Sequence, residues 1–346
     1  MSAARRGALR AAAALSLSGR YAGPGRQAAA GLRAWAGWAG ARLVVEDDRS
    51  QPARTADLYR RIAGGADLLF GPYGSGPGRA AAEALAGAPA VVWNHGGAAV
   101  RPTTARLVDV LGPAERYWAG LASALAAAGA DLARVAVVRA PTGFGRATAF
   151  GAEASLAEAG ATPLASIELS GAGAEAAARQ ALRAGADAVV GCGRIEDDLA
   201  LGRALAGAGV HVALVVCGIR RAAEELGRAV LGWLGPAQWV PSEPAAADPG
   251  SPAAPAPPVP LPAGADYPAA QAMAAGVIAM EALEAAGTSD PDALWDAARA
   301  LRTTTFLGPF RVDRDGRQLA HAPLLVRWED RGGALVQAVV WRPPPA

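Results

Sequence analysis

Residues 9–76 read LRAAAALSLSGRYAGPGRQAAAGLRAWAGWAGARLVVEDDRSQPARTADLYRRIAGGADLLFGPYGSG, and their pattern decides the fold. Short apolar runs at 9–17, 42–46 and 67–70 are separated by longer segments over 24–39 and 52–63. Within those segments apolar residues recur at helical spacing: Ala28, Leu32, Trp35 and Ala39 in the first, Leu58 and Ile62 in the second. The order is strand, helix, strand, helix. Strands joined through single helices run parallel, and right-handed crossovers place helices on both faces of the sheet.

The alternation continues outward from this stretch. It predicts strands at 88–93, 134–139, 163–169, 188–192 and 212–217, with helices at 78–86, 115–128, 145–159, 174–184 and 197–206. A Pro/Ala-rich tract at 243–265 has few backbone donors and reads as an irregular loop. Helices over 267–286 and 291–301 follow, then closing strands near 308–312, 323–328 and 335–341. The expected class is α/β, with two Rossmann-like doubly wound parallel-sheet units in succession, and a length of 346 residues suits about two domains.

Composition narrows the function. Hydrophobic residues make up 52% and charged residues 18%, which is too apolar for disorder, and no run is long and uninterrupted enough to span a bilayer. The formal charge is +2 and every basic side chain is arginine, scattered singly or in pairs without interleaved aromatics, so no nucleic-acid partner is expected. Two cysteines, Cys192 and Cys217, and three histidines show no ligand spacing, so no metal is expected. The cysteines end two strands expected to be neighbours, and buried free thiols are the expected state. Arg5 and Arg6 before an apolar run imitate an export signal, but Arg10 interrupts the run. The segment reads as the first strand, leaving neither an export signal nor a lipid-attachment cysteine ahead of it.

Ligands of parallel sheets dock where strand C-terminal ends gather backbone amides and helix N-termini. Those loops are here Ser18-Gly19-Arg20-Tyr21, Glu46-Asp47-Asp48-Arg49-Ser50, Gly71-Pro72-Tyr73-Gly74-Ser75-Gly76 and Asn94-His95-Gly96-Gly97. In the second unit they are Pro141-Thr142-Gly143-Phe144-Gly145, Gly193-Arg194-Ile195-Glu196 and Gly218-Ile219-Arg220.

The ordered set LSLSGRYAGPGRQAAAG, VVEDDRSQPA, LLFGPYGSG, VVWNHGG and TTTFLGPFRVDRDGRQ resembles the type I periplasmic binding proteins, in their leucine/isoleucine/valine-binding branch of ABC-transporter receptors. The resemblance covers nearly the whole chain. It implies two lobes joined by three hinge crossings, residues 8–113 with 241–309 and residues 114–240 with 310–346. A small polar ligand would be trapped between them, and an ABC-transporter permease in the membrane would be the partner. It implies an extracytoplasmic location and no cofactor.

Carried over residue by residue, the resemblance sets Tyr21 beside the ligand and offers Tyr73, Ser75 and nearby amides to a carboxylate. Asn94, His95 and Gly96 form the next turn, Phe144 is the aromatic of the second lobe, and Gln238 lies where the chain crosses between lobes. His95 either donates to ligand or is bonded within its own loop. Arg194 either grips anionic or carbonyl oxygens or pairs with Glu196 or Asp197. Relatives that hold an amino acid place an acid after the strand ending at Cys217, against the ammonium group; here stand Gly218 and Ile219, which argues against a plain branched-chain amino acid.

Two other readings share the sequence. A cytoplasmic ligand sensor would keep the same fold. A dinucleotide enzyme would use Gly23-Pro24-Gly25-Arg26-Gln27-Ala28 as its phosphate loop with Glu46 or Asp47 on the ribose, although Ser18–Ala22 separate that loop from its strand. No catalytic constellation accompanies it, and reversible binding is the expected activity.

Overall fold

The computed structural model describes residues 9–100, 104–169, 171, 173–241 and 255–344. The chain divides into two compact units, residues 1–112 with 244–321 and residues 113–243 with 322–346. The sequence therefore passes three times from one unit to the other. Residues 310–321, assigned above to the second lobe, belong to the first unit: Asp109 donates its amide to the Gly316 carbonyl at 2.8 Å, and Gln318 Nε2 donates to the Val110 carbonyl at 3.3 Å.

The first unit contains β1 (Arg10–Leu15), α1 (Ala22–Ala39), β2 (Arg42–Asp47), α2 (Pro52–Ile62), β3 (Leu68–Phe70), α3 (Ser75–Ala84), β4 (Val91–Asn94) and β5 (Arg106–Asp109). Its sheet is parallel throughout, in the order β2-β1-β3-β4-β5. The direction of winding reverses between β1 and β3, so α1 lies on one face while α2 and α3 pack together on the other. β5 escaped the sequence reading because it has only four residues at a sheet edge and no helix follows it directly.

The second unit contains α4 (Leu121–Ala127), β6 (Val135–Arg139), α5 (Gly143–Glu158), β7 (Ala165–Glu168), α6 (Gly173–Arg183), β8 (Ala188–Cys192), α7 (Ile195–Leu205), β9 (His211–Leu214), α8 (Arg221–Leu226) and β10 (Leu234–Ala237). The first unit then resumes with α9 (Tyr267–Ala286), α10 (Pro291–Ala300), β11 (Thr303–Thr305) and β12 (Gly308–Phe310). The second is completed by β13 (Leu324–Arg331) and β14 (Ala334–Trp341). Its sheet order is β14-β13-β10-β9-β8-β6-β7. Strands β6 to β10 are parallel, whereas β13 pairs antiparallel with both β10 and β14.

Two departures from the sequence pattern have physical reasons. The helix expected over 115–128 is a 3-10 turn at Ala114–Arg116 followed by α4 alone; between them the chain passes beneath the Trp341 ring, where a Cβ on Gly120 would lie 2.1 Å from a ring carbon. β10 reads Leu-Gly-Pro-Ala, a poor strand by propensity, yet all four residues are buried and pair with β13, and Leu234 also pairs with Ala213 of β9. Of the expected loop at 243–265, residues 243–254 lie outside the described residues, and 255–265 contain no helix or strand.

The core of the first unit is built on small residues. Ala11 to Ala14 in the central strand are buried, with Trp35 and Phe70 meeting edge to face at 5.1 Å. α9 is apolar on nearly every side because α1, α10 and the sheet enclose it; by length and composition alone it would pass for a membrane span. Its approach to α1 depends on two absent side chains. A Cβ on Gly31 would lie 2.1 Å from the Ala269 carbonyl oxygen, and one on Gly276 would lie 2.4 Å from the Trp35 ring.

Gly31→Ala is therefore expected to destabilise the chain by about 1–3 kcal/mol through overpacking. Gly37→Ala, on the same helix but exposed and with open space around it, is expected to stabilise by about 1 kcal/mol through helix propensity. Urea denaturation of the two variants beside the parent chain checks the sign of each effect.

Candidate functional site

In each unit the switch point brings two strand ends together, β1 with β3 in the first and β6 with β8 in the second. The loops leaving the β1 and β2 ends are fastened by two aspartates. Asp47 Oδ1 accepts the amides of Leu17, Ser18 and Arg49 at 3.0, 3.2 and 2.9 Å, and its Oδ2 accepts the Ser18 hydroxyl at 2.7 Å. Burial works to raise the Asp47 pKa, but the hydrogen bonds from Ser18, Arg49 and Leu17 outweigh it and hold the group below its ordinary value. Asp48 is fully buried and binds Ser16 Oγ, the Ser50 amide and Thr55 Oγ1 at 2.6, 2.8 and 3.2 Å. The Ser50 hydroxyl in turn accepts the Tyr21 amide at 3.0 Å.

This network presents a tyrosine cluster. Tyr21 and Tyr73 meet edge to face at 6.2 Å, the Arg20 guanidinium lies 4.8 Å from the centre of the Tyr21 ring, and the Tyr73 hydroxyl hydrogen-bonds that of Tyr267. Tyr267, missed in the sequence, opens α9. Ser75 begins α3, which has no side-chain cap, so the first amides of that helix are not taken by a capping oxygen. The Ser75 hydroxyl accepts the Ala99 amide at 3.1 Å.

Asn94 is taken up by its own turn. Its Oδ1 accepts the Gly97 amide at 2.9 Å, while Nδ2 donates to the Gly97 carbonyl at 3.0 Å and to Asp109 Oδ1 at 2.6 Å. These bonds position the turn. The Gly96 carbonyl accepts the Gly74 amide at 2.8 Å and so ties this turn to the Tyr73 loop. His95 is fully buried, and neither ring nitrogen has a partner at hydrogen-bonding geometry, although the Gly71 backbone lies near. Burial lowers its pKa to about 4.

In the second unit Phe144 meets Tyr117 edge to face at 5.6 Å. Tyr117 is buried, which raises its pKa to about 12, and its hydroxyl hydrogen-bonds the side chain of the buried Gln238. Phe144 lies in the first turn of α5, whose cap is Thr142 accepting the Gly145 amide at 3.0 Å. Arg194 follows the second of its two readings: Nε and Nη2 donate to Asp197 Oδ2 and Oδ1 at 2.7 and 2.9 Å, so the guanidinium edge expected for a ligand is engaged by its own helix.

Of the two residues after Cys217, Gly218 is sterically confined and Ile219 is apolar and buried. A Cβ on Gly218 would lie 1.8 Å from the Pro236 carbonyl oxygen, so no side chain fits there. The buried carboxylate nearby, Asp198, ties the β8 end to the turn after β9, with its oxygens accepting the Gly193 and Val216 amides at 2.8 and 3.0 Å. Burial raises its pKa to about 7 against the pull of those amides. Cys192 and Cys217 are buried free thiols, both pushed up by burial.

The dinucleotide motif is absorbed by packing. A Cβ on Gly25 would lie 2.0 Å from the Ser16 carbonyl oxygen, so this glycine seats α1 against the β1 end, while Asp47 is spent on the loop and Glu46 pairs with Arg61 at 3.2 Å. Tyr117 and Tyr267 carried one sequence signal that went unread: the chain has only five tyrosines, and four of them stand in these two clusters.

Strand ends that gather aromatic rings and helix amides at a switch point are those of a small-molecule binding protein. The sequence profile described as periplasmic binding protein matches residues 8–334, and the chain belongs to that family. Solved structures agree in fold. An ABC-transporter solute-binding protein of R. palustris in complex with 4-hydroxybenzoate superposes with a TM-score of 0.82 at 17% identity, covering 96% of each chain. Another from R. palustris, in complex with benzoate, gives 0.75 at 18%, again covering 96% of each. The leucine-binding protein of Thermotoga maritima gives 0.77 at 18%, covering 97% of this chain and 99% of that one. No curated protein matches the chain.

The two buried titrating groups set opposite pH dependences. His95 has its folded pKa below the ordinary 6.5, so its contribution is complete above about pH 6.5 and is lost as the pH falls toward 4, reaching about 3 kcal/mol. Asp198 has its folded pKa above the ordinary 3.8, so its contribution is complete at low pH and is lost as the pH rises toward 7. Unfolding free energies between pH 4 and 8 are expected to fall less steeply on the acid side in His95→Gln than in the parent. An unchanged acid slope would contradict the burial argument.

Proposed function

We propose that this protein is the solute receptor of an ABC importer and that its ligand is a small aromatic carboxylate. The observation that carries the ligand class is the pairing of two aromatic clusters with a position 218 that holds no side chain. Each unit carries one ring pair at its strand ends, Tyr21 with Tyr73 and Phe144 with Tyr117, and edge-to-face rings suit a planar apolar body. The uncapped start of α3 and the Ser75 hydroxyl, which keeps its proton for donation, suit a carboxylate. An α-amino acid would bring an ammonium group with no acid at position 218 to meet it, and a buried unpaired charge costs about 3–5 kcal/mol. The benzoate complexes among the structural relatives support the same class.

The proposed mechanism is reversible binding without catalysis. A ligand that binds one conformation more tightly than another favours it, and a membrane permease would read that population.

Thermal shift against benzoate, 4-hydroxybenzoate and leucine tests the class. An aromatic acid at 100 times its dissociation constant is expected to add about 2.7 kcal/mol of stability, and leucine none. Tyr21→Ala and Phe144→Ala are each expected to weaken the aromatic acid about tenfold or more, the loss of an aromatic contact of about 1.5 kcal/mol. Leucine binding as tightly as benzoate would overturn the ligand class, and full affinity in both variants would overturn the site.

A further inference from the structure

The first unit carries a groove of about 670 Å³ that shares no residue with the strand-end loops. It lies between the C-terminal end of α10 and the segment after β12. Four arginines, Arg299, Arg302, Arg311 and Arg314, line it against two aspartates, Asp296 and Asp313.

The partners of these groups show where the charge is unbalanced. Arg299 pairs with Asp296 and stands 5.3 Å from the centre of the Trp295 ring. Arg314 faces Asp315 at 3.6 Å. Among the described residues Asp313 forms no ion pair with an arginine of the groove; its Oδ1 accepts the amides of Asp315 and Arg317, both at 2.9 Å, to close the turn, and its carboxylate offsets one of the remaining cations. Arg302 donates Nη1 to the carbonyl oxygens of Arg299 and Leu301 at 2.9 and 2.8 Å, which fixes the guanidinium on the end of α10 and leaves Nε and Nη2 directed elsewhere. Arg311 is bonded through its backbone, its amide to Gln318 and its carbonyl to Leu319. Among the described residues neither Arg302 nor Arg311 forms an ion pair. The Nε of Arg299 is buried beside them and has no hydrogen-bond partner.

A second groove, of about 560 Å³ between α6 and α7, provides the contrast. Its arginines are matched: Arg179 by Glu175 at 3.4 Å and Arg203 by Glu225 at 2.9 Å. Polar grooves on this protein therefore need not be left charged.

We propose that the groove at the end of α10 is an anion-binding site for a compact polyvalent anion carrying phosphate or carboxylate groups, with Arg302 and Arg311 as its two ligating side chains. Guanidinium forks match the oxygen pairs of such groups, and a concave wall holds Arg302 and Arg311, two cations against the single Asp313 carboxylate, which among the described residues is in no ion pair. The exposed Leu319 at its edge allows a short apolar contact beside the anion.

Isothermal titration of the full chain with inorganic pyrophosphate, and flotation with phosphatidylcholine vesicles containing or lacking phosphatidylglycerol, distinguish a free anion from a lipid headgroup. The expected result is saturable binding in one arm that weakens as salt rises. Arg311→Ser, whose side chain supports no element of the fold, should reduce it at least tenfold, and Arg302→Ser should act in the same direction. Arg179→Ser, in the matched groove, should leave it unchanged. Absence of saturable binding in both arms, or binding that survives Arg311→Ser and Arg302→Ser, overturns the proposal.

Discussion

The parallel strands of both units end in loops whose backbone amides have no neighbouring strand to bond, and the structure depends on how those amides are satisfied. Short polar side chains do it. Asp47 and Asp48 hold the loops after β1 and β2, Asn94 holds the turn after β4, Thr142 caps α5, and Asp198 joins the β8 end to the turn after β9. Each of these groups bonds backbone amides of the strand-end loops, and beside them stand the ring pairs Tyr21 with Tyr73 and Phe144 with Tyr117. Rigid loops that display rings at low conformational cost suit reversible capture, since ordering need not be supplied again when the ligand arrives.

The same packing also sets what the second unit cannot contain. Gly218 approaches the β10 backbone too closely for any side chain, and a point substitution at 218 would have to displace the strand. Asp198 lies close in the fold but is buried and held by two amides, with its pKa near 7.

Small residues set the dimensions of the first unit. The alanines of β1 and the glycines at 31 and 276 let α1 and α9 approach closely, and α9 is apolar on nearly every side where it is enclosed. Two features that suggested other functions, Gly25 of the glycine-rich segment and the long apolar helix, serve close packing.

Periodicity in the sequence was enough to determine the alternating strands and helices, the two-unit α/β class and most of the loops that carry the candidate site, because burial of one face imposes a period that side chains cannot hide. It could not determine how polar side chains are shared out. Arg194 pairs with Asp197 within its own helix turn, and Asn94 closes the turn it belongs to; whether such a group faces a ligand depends on distances of a few tenths of an ångström. Tyr117 and Tyr267 joined the clusters only in three dimensions, since each lies far along the chain from the loop it meets. β10 became a strand against its own propensity because both neighbours supply hydrogen bonds and cover it, a tertiary effect that no local pattern encodes.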